Sequence, residues 1–501
     1  MNRARTDFQA LCASPTPLRV PVHVPVRDRL RVHPGRRSCR PLCLGLGEYH
    51  QARVPAIEAC IPIMILPLQL PAPFTIAPPT GASRLPFVEL PKAKVQKPRA
   101  RVKFREGSQA QAAADSSYGN FSGHITFSAW QFFHAAAKTE FAMSFTPAEA
   151  DQAAMLYAAQ HNHLLIWNTQ NLRIRDQGVF SRVDATRSYI AGRFGVAASS
   201  LLMQHWDYPY WDHIPSLWER AARNAQISHA QSVQMAQVIA AKIASGRPQN
   251  EPDFAFEKAV GDVALMESKG KFVNPGDTNP PVKADMNEAL GQLGAWSGFI
   301  SPNPGKSFGI GTYLREQTDS AYDPSLILYV DPPAEKQTRF EPVPFPRDWI
   351  RRGNFGNWLM RMGLVEAGLA LRDGREKLAA QISLPVVEMS GRKFAFTVHA
   401  WNFAPMGRGF PFLPFSELFL DLGFVQTFDL LVTGLEVNVL GMIEKSLRSA
   451  EASSLLKAEP VSVSETPGWF SGSIMRDGSL LGLLHLGRGF RAGIGEQKFA
   501  L

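Results

Sequence analysis

The segment Gly305-Lys306-Ser307-Phe308-Gly309 matches the G-x-S-x-G pattern of serine hydrolases, in which glycines allow a strained turn that presents the serine to solvent. His399 and His485 follow it in the chain, together with several aspartates, so the order of a Ser–Asp–His triad is available. Two prolines precede the segment, and they do not fit the central strand that such a turn requires. The leading hypothesis is therefore that the chain has no catalytic residues. The alternative hypothesis is a serine-hydrolase-type enzyme that uses Ser307.

The run from His205 to His213, HWDYPYWDH, offers two histidines, two carboxylates and four aromatic rings. Histidine and carboxylate are ligands of transition metals, and exposed rings can stack on bases. Large aromatic residues beside a proline more often pack in a core or a subunit interface. The sequence therefore predicts no metal site here and an aromatic interface instead. The predicted interface residues are Trp206, Tyr208, Tyr210, Trp211 and Trp218.

A row of basic residues precedes these segments. From Lys97 to Arg105 every second residue is lysine or arginine, and in an extended chain these side chains share one side with a spacing of about 6.6–6.8 Å. Such a row suits the phosphates of a nucleic acid, whereas a solvated linker or a charged edge strand is the competing interpretation. The predicted nucleic-acid-binding residues are Lys92, Lys94, Lys97, Arg99, Arg101, Lys103 and Arg105.

The positive charge of the chain is confined to its N-terminal part. Residues 1–106 contain 18 Lys and Arg against 6 Asp and Glu, which leaves 35 basic and 38 acidic residues in the remainder. All of the formal net charge of +9 therefore resides in the first fifth of the chain. The remainder is close to neutral and needs no polyanionic partner to balance it.

The N-terminal part also differs in its prolines and cysteines. Sixteen of the 38 prolines and all four cysteines precede residue 107, so the remainder has no Cys-ligated metal and no disulfide. The prolines predict a disordered, basic arm over residues 1–105, and they interrupt the uncharged stretch between Glu58 and Arg84, which argues against a membrane span. The absence of a predicted membrane span indicates a soluble, intracellular protein. Met64 is an alternative start of translation.

The remaining residues predict an α+β fold that is predominantly helical. Residues 106–300 are expected to form a helical domain, with helices over about 146–160, 216–244, 253–268 and 283–296, and residues 301–501 a mixed α/β domain. Alternating apolar residues predict a strand over 393–401, a helix is expected near 436–456, and the tail from Val461 is expected to form a hairpin.

No cofactor is predicted, because Ile300 occupies the position where a phosphate-binding loop ending at Lys306 needs glycine.

In texture the chain resembles the coat proteins of small double-stranded RNA viruses of fungi and plants, the partitivirus-like group. The resemblance consists of the basic, proline-rich N-terminus, the Trp- and Phe-rich segments 129–133 and 165–168, the junction from Ser188 to Trp218 and the cysteine-free remainder. It implies a shell built from dimers, with no catalytic residues. The resemblance thus implies a non-enzymatic, capsid-like assembly protein of the virion or host cytoplasm, whose arm contacts RNA. A soluble mobile-element binding protein with a disordered tail is a further alternative.

The sequence predicts that Ser307 is chemically inert. We expect that a fluorophosphonate probe leaves Ser307 unlabelled, because the segment before it lacks the strand that would support a nucleophile turn. Mass spectrometry of the tryptic peptide checks this. A covalent adduct on Ser307, abolished in Ser307→Ala, would favour the hydrolase instead.

Overall fold

The structure is a computed structural model, in which all described residues belong to one compact unit, residues 70–501. It describes residues 81–92, 115–116, 119–120, 122–141, 161–167, 171–214, 216–217, 220, 253–258, 261–277, 282–297, 300–301, 304–319, 324–331, 343–344, 348–375, 380–399, 428–448, 467–486 and 494–501.

Nineteen strands are present within these residues. They are, in chain order, β1 (Ala82–Glu89), β2 (Asp115–Ser116), β3 (Gly119–Asn120), β4 (Gly123–Ser128), β5 (Leu165–Ile166), β6 (Arg173–Ile174), β7 (Tyr210–His213), β8 (Phe254–Glu257), β9 (Val263–Phe272), β10 (Ile300–Ser301), β11 (Lys306–Leu314), β12 (Leu326–Val330), β13 (Val343–Pro344), β14 (Gln381–Met389), β15 (Arg392–His399), β16 (Phe428–Glu436), β17 (Phe470–Ile474), β18 (Ser479–Leu486) and β19 (Ile494–Ala500).

Two large sheets organise the fold. Sheet 1 has seven strands in the order β4-β1-β12-β11-β9-β8-β7, and it is mixed, because β1 pairs with β12 and β11 with β9 in parallel. Sheet 2 has six strands in the order β17-β18-β16-β15-β14-β19, and every pair in it is antiparallel. The central strands of sheet 1 are buried on both faces, which is why β12 reads as a continuous apolar run and β11 shows no alternation of buried and exposed residues.

Six α-helices within the described residues cover these sheets. They are α1 (Ala129–Phe141), α2 (Asp184–His205), α3 (Val282–Ser297), α4 (Trp349–Arg361), α5 (Val365–Arg372) and α6 (Val437–Arg448). Helix α2 packs on β9 of sheet 1, and α6 contacts β15, β16 and β19 of sheet 2. All side chains of α4 are buried, and this helix contacts β7 and β8 as well as α1 and α5. None of the helices in the described part is long and apolar enough to cross a membrane.

The predicted helical fold class is wrong. Strands account for about 39% of the structure, and the seven-stranded sheet 1 takes most of its strands from the region predicted to be helical. The error is clearest at 253–268, which forms β8 and β9. Gly261 between them has φ of +94°, and the Lys258 N–H donates to Asp262 O at 2.9 Å, so the chain reverses there. Phe254 and Phe256 of β8, like Ala264 of β9, lie on one face of their strands. The alternation is hard to see in the sequence because the residues on the opposite face are apolar and equally buried.

The predicted arm also ends too late. Strand β1 lies inside it, between β4 and β12 of sheet 1, with Leu85 and Val88 at 0% and 1% exposure. The prolines misled the prediction: Pro86 lies opposite His124 of β4, but the pairing of β1 with β12 begins only at the next residue, Phe87, so the missing N–H of Pro86 does not interrupt that pairing. Residues 1–80, including the four cysteines and Met64, lie outside the described residues.

Several other elements occur where the sequence places them. Helix α3 matches the predicted 283–296, β15 matches 393–401 to within two residues, and α6 occupies the first part of 436–456. The tail contains the hairpin β17–β18, which turns at Gly478 with φ of +85°. The predicted helix 146–160 lies outside the described residues, as does most of 216–244.

Helix α2 approaches sheet 1 through two glycines. A Cβ on Gly195 would lie 2.6 Å from the Cα of Gly270, and a Cβ on Gly270 would overlap the carbonyl group of Ala191. The hydroxyl groups of Ser199 and Ser268 meet one turn further along, at 2.9 Å. The small residues bring the helix backbone against β9, and this contact fixes the position of the whole helix.

We expect Gly270→Ala to lower the free energy of unfolding by about 3 kcal/mol, because the added methyl group forces α2 away from the sheet. Gly291→Ala is the matched control: this glycine lies in α3 with open space around it, and alanine there should be neutral or stabilise by up to about 1 kcal/mol. Urea unfolding of both variants measures the difference. Equal stability of the two variants would contradict the close contact.

Candidate nucleic-acid interface

The basic row predicted to bind nucleic acid connects two neighbouring strands. Strand β1 ends at Glu89 and β4 begins at Gly123, and these strands pair antiparallel, with Phe87 opposite Gly123. The two ends of the connection are tied together, since the Ser122 N–H donates to Phe87 O at 2.8 Å and Ser122 Oγ accepts from the Glu89 N–H at 3.2 Å. The basic residues therefore belong to a connection anchored at both ends, and not to a free tail.

Only one of the seven predicted nucleic-acid-binding residues is described. Lys92 is half-buried, two residues beyond Leu90, whose N–H donates to Tyr329 O at 2.7 Å. The remaining six lie outside the described residues: Lys94, Lys97, Arg99, Arg101, Lys103 and Arg105. The structure thus places the beginning and the end of the basic connection, both at the carboxyl end of β1.

Aromatic rings surround this end of β1. Trp206, directly after α2, is half-buried, and its ring centroid lies 4.8 Å from that of Phe308 and 4.8 Å from that of Tyr329. The ring of Phe87 meets Trp206 edge-on at 5.9 Å and the imidazole of His205 at 5.7 Å. The half-buried rings of Trp206 and Tyr329 therefore lie beside the point where the basic connection begins.

Charged groups of both signs border the rings. The ammonium group of Lys258 lies 4.8 Å from the ring centroid of Tyr208, and burial, with help from Asp262 and Asp331, raises the pKa of Tyr208 to about 12. Lys306 forms an ion pair with Asp331 at the same end of the sheet. The phenol of Tyr208 is therefore neutral near pH 7. Since Lys306 is paired with a carboxylate, most of the positive charge that could attract phosphate is that of the basic connection.

The predicted aromatic interface is divided by the structure. Tyr208, Tyr210 and Trp211 are at most 4% exposed, and their rings contact other residues of the same chain. Trp211 stacks on Phe256 at 5.5 Å. These three belong to the chain's own core, whereas Trp206 retains exposed surface. Trp218 lies among residues whose placement is not described.

A cleft lies next to this aromatic group. It has a volume of about 220 Å³ and is formed by β4, the last turns of α2 and the turn that joins β17 to β18. Its apolar walls include Phe127, Leu201 and Met475, and its polar lining consists of Thr126, Gln131, Gln204, His205 and Arg476. The guanidinium group of Arg476 donates to Gln204 O at 3.3 Å and forms an ion pair with Asp207.

Local sequence positions the polar residues of the cleft. The Gln131 N–H donates to Ser128 Oγ at 3.1 Å and the Ser128 N–H donates to Gln131 Oε1 at 2.8 Å, which is a capping box at the start of α1. The motif Ser128-Ala-Trp-Gln131 is the signal that would have located this helix start. Asp207 has φ of +66°, which ends α2 and directs the chain into β7.

Ser307 does not lie on a nucleophile turn. It is the second residue of the continuous strand β11, it is 3% exposed, and it pairs with Leu265 of β9. A nucleophilic serine needs a sharp, exposed turn between a strand and a helix. Of the two downstream histidines, His485 hydrogen-bonds to Ser471 at 2.7 Å, and the side chain of His399 is not described.

A second Ser–His–Asp group, which the sequence did not suggest, is buried between α1 and the β17–β18 hairpin. Ser479 Oγ lies 3.2 Å from His134 Nε2 and donates to Asp477 Oδ1 at 2.6 Å, while Ser473 Oγ lies 3.2 Å from His134 Nδ1. In a catalytic triad the aspartate bonds to the histidine and not to the serine. The four residues are at most 3% exposed, and burial lowers the pKa of His134 well below its usual value. The group is a buried polar network.

Lys138 completes that network. Its ammonium group forms an ion pair with Asp477, donates to Asn354 Oδ1 at 2.9 Å, and lies 4.1 Å from the ring centroid of Trp211. The positive charge of Lys138 holds the pKa of Asp477 below its usual value despite complete burial. The ion pair therefore joins α1 to the β17–β18 turn within the core.

The His205–His213 segment does not assemble a metal site. His205 is exposed at the end of α2, whereas Asp212 is buried in β7, where it forms an ion pair with Arg220 and accepts from Asn357 Nδ2 at 3.3 Å. His213 packs against Phe254 with ring centroids 5.8 Å apart. Throughout the described residues no three His, Cys, Asp or Glu side chains are grouped to hold a metal ion.

Two buried carboxyl groups lie at the start of β8 and on β9. The Asp253 N–H donates to Glu267 Oε2 at 3.1 Å, and the Ser268 N–H donates to Asp253 Oδ2 at 2.9 Å. Burial raises the pKa of Asp253 to about 6, and burial together with the charge of Asp253 raises the pKa of Glu267 to about 8. Paired carboxyl groups with separated pKa values can perform acid–base catalysis. Glu267, however, is 2% exposed beneath α3, so these groups bear on stability.

Comparison with known proteins gives no relative. No family model, no curated protein and no solved structure matches this chain.

The two carboxyl groups predict a pH dependence of stability. Since their folded-state pKa values are raised above the unfolded ones, the folded protein binds more protons between about pH 4.5 and 8, and stability should fall as the pH rises through this range. Glu267→Gln should flatten the slope by about 1 kcal/mol per pH unit. The control is Glu288→Gln: Lys269 forms ion pairs with both Glu267 and the exposed Glu288, so this variant removes a carboxylate next to the same lysine, and it should retain the slope. Urea unfolding at several pH values measures both; identical slopes would refute the assignment.

Proposed function

We propose that this protein is a non-enzymatic RNA-binding protein that contacts RNA through the basic connection between β1 and β4. The observation that carries the proposal is the alternation of five basic residues, Lys97 to Arg105, within a connection whose two ends are tied together beside Trp206. Alternating charges in an extended segment follow a phosphate backbone on one side. Half-buried aromatic rings at the same place offer surfaces on which bases can stack.

The charge distribution supports this assignment. With a near-neutral remainder after residue 106, the excess positive charge is concentrated in the N-terminal part and the basic connection. Electrostatic binding to phosphates is independent of sequence and depends strongly on salt, because bound counterions are released. We therefore expect broad binding to RNA with little preference for sequence.

The buried position of Ser307 weighs against the hydrolase alternative. Its side chain is enclosed within sheet 1, and the nearby Lys306 pairs with Asp331 across the neighbouring strand. The buried network around Ser479 and His134 also lacks the exposure that a substrate needs. These placements favour a protein that binds over one that catalyses.

Assembly into a capsid-like shell of many copies is the second part of the proposal. It rests on the coat-protein resemblance, and the mixed fold removes the helical part of that resemblance. Size-exclusion chromatography with light scattering and an A260/A280 reading tests it. Megadalton particles that carry nucleic acid would support a shell, whereas a monomer or dimer that still binds RNA would limit the proposal to RNA binding.

The salt dependence of RNA binding tests the proposed interface. Replacing Lys97, Arg99, Arg101, Lys103 and Arg105 by Gln should lower the slope of log K against log salt by roughly three to four, since each phosphate contact on a single strand contributes about 0.7. Fluorescence anisotropy with a labelled single-stranded RNA at several salt concentrations measures the slope.

The control removes the same charge from another surface. Five exposed basic residues of α6, sheet 2 and its neighbouring loop serve for this: Arg375, Lys393, Lys445, Arg448 and Lys498. Their replacement by Gln should leave the slope within one unit of the wild-type value. An equal loss in both variants would indicate attraction by net charge alone, and an unchanged slope in the first variant would make the basic connection a solvated linker.

A further inference from the structure

We infer that the cleft between β4, α2 and the β17–β18 turn binds a single unstacked nucleobase of the RNA held by the basic connection. The inference rests on the proposed RNA binding and names the form of RNA, a single strand whose bases are free to turn outward. Three observations carry it: the position of the cleft, the chemistry of its lining, and the way its charged residue is held.

The position of the cleft follows from the chain. The basic connection returns to the sheet at Ser122, and Ile125, Thr126 and Phe127 of the next strand line the cleft. Among the strands that the structure describes, β4 is at the edge of sheet 1, and within this part of the chain its outer side presents backbone N–H and C=O groups. Phosphates bound by the connection would therefore bring adjoining nucleotides to the open edge of the sheet, where the cleft lies.

The lining fits a planar, uncharged, polar ring. Its walls are apolar, with an aromatic ring at Phe127, and its polar groups are a hydroxyl, two amides, an imidazole and a guanidinium group. These supply both donors and acceptors, and no lining residue is acidic. Glutamine and arginine side chains pair with the edges of bases, and single-stranded RNA is read by turning bases out of the stack into such sites. A volume of about 220 Å³ limits the occupant to one ring system.

The donors and acceptors are held in place by the fold. Gln131 uses Oε1 for the capping box with Ser128, so its amide nitrogen is the group it can offer to a ligand. The guanidinium group of Arg476 is oriented by Gln204 O and by Asp207, and Gln204 Nε2 contacts the sulfur of Met475 at 3.5 Å. Side chains ordered before binding lose less conformational entropy when the base enters.

Binding of an RNA 12-mer and of a 12-mer of the same charge without bases tests the inference. Wild-type protein should bind the base-bearing strand at least tenfold more tightly. Gln204→Met and Arg476→Gln should each reduce this preference about fivefold or more, because each removes a group that pairs with a base edge, and neither should change the affinity for the abasic strand by more than about twofold. Fluorescence anisotropy at one salt concentration provides the affinities, and urea unfolding verifies that the variants are folded.

Asp207→Asn is the matched control. It breaks the same ion pair as Arg476→Gln, keeps every side chain that lines the cleft, and places asparagine at a positive φ that this residue tolerates. It should retain most of the preference for the base-bearing strand, because Gln204 O still accepts from the guanidinium group of Arg476 and every lining group remains. Two outcomes would overturn the inference and leave RNA binding intact. One is that both cleft variants prefer the base-bearing strand as strongly as wild type does, and the other is that wild type binds the two strands equally. Failure of the wild type to bind either strand would overturn the proposed function itself.

Discussion

The buried ion pair between Lys138 and Asp477 is the interaction on which the rest of the structure depends. Both side chains are removed from water, and a buried charge without its partner costs about 3–5 kcal/mol. Asn354 satisfies both, since it accepts from Lys138 and donates to Asp477 Oδ2 at 2.7 Å. Three elements distant in sequence, α1, α4 and the β17–β18 turn, must therefore meet at one point for either charge to be tolerated.

The candidate interface inherits its geometry from this pair. Arg476, which lines the cleft, is the residue immediately before Asp477, and Gln131 opens the helix that carries Lys138. The turn is further fixed by Gly478 and by the Ser479 hydroxyl, which donates to Asp477 Oδ1 at 2.6 Å. The buried ion pair thus positions a surface group: because Asp477 is held in the core by Lys138, the guanidinium group of the neighbouring Arg476 is held at the cleft.

The elements that the sequence predicted correctly are those whose pattern is local. Helix α3 shows helical periodicity, β15 alternates between its faces, and the β17–β18 turn contains Asp-Gly at a hairpin position. The sheet 1 strands were missed because their burial on both faces, as in β9 and β11, removes the alternation by which a strand is recognised. Strand β1 was missed for a different reason, since its place is set by pairing with β12, about 240 residues later in the chain.

Only part of the candidate site could be predicted from the sequence, because the rest depends on contacts between residues far apart in the chain. The basic row is contiguous and could be read directly, whereas the cleft combines β4, α2 and the β17–β18 turn, which no local pattern brings together. The structure also changes what the basic row can do. A segment fixed at Leu90 and Ser122 has fewer conformations to lose than a free arm of equal length, so each proposed phosphate contact would be opposed by a smaller entropic cost. In the proposed complex, anchoring would also keep the phosphates beside Trp206 and the cleft, where a base that leaves the stack would meet a preformed polar edge in place of bulk water.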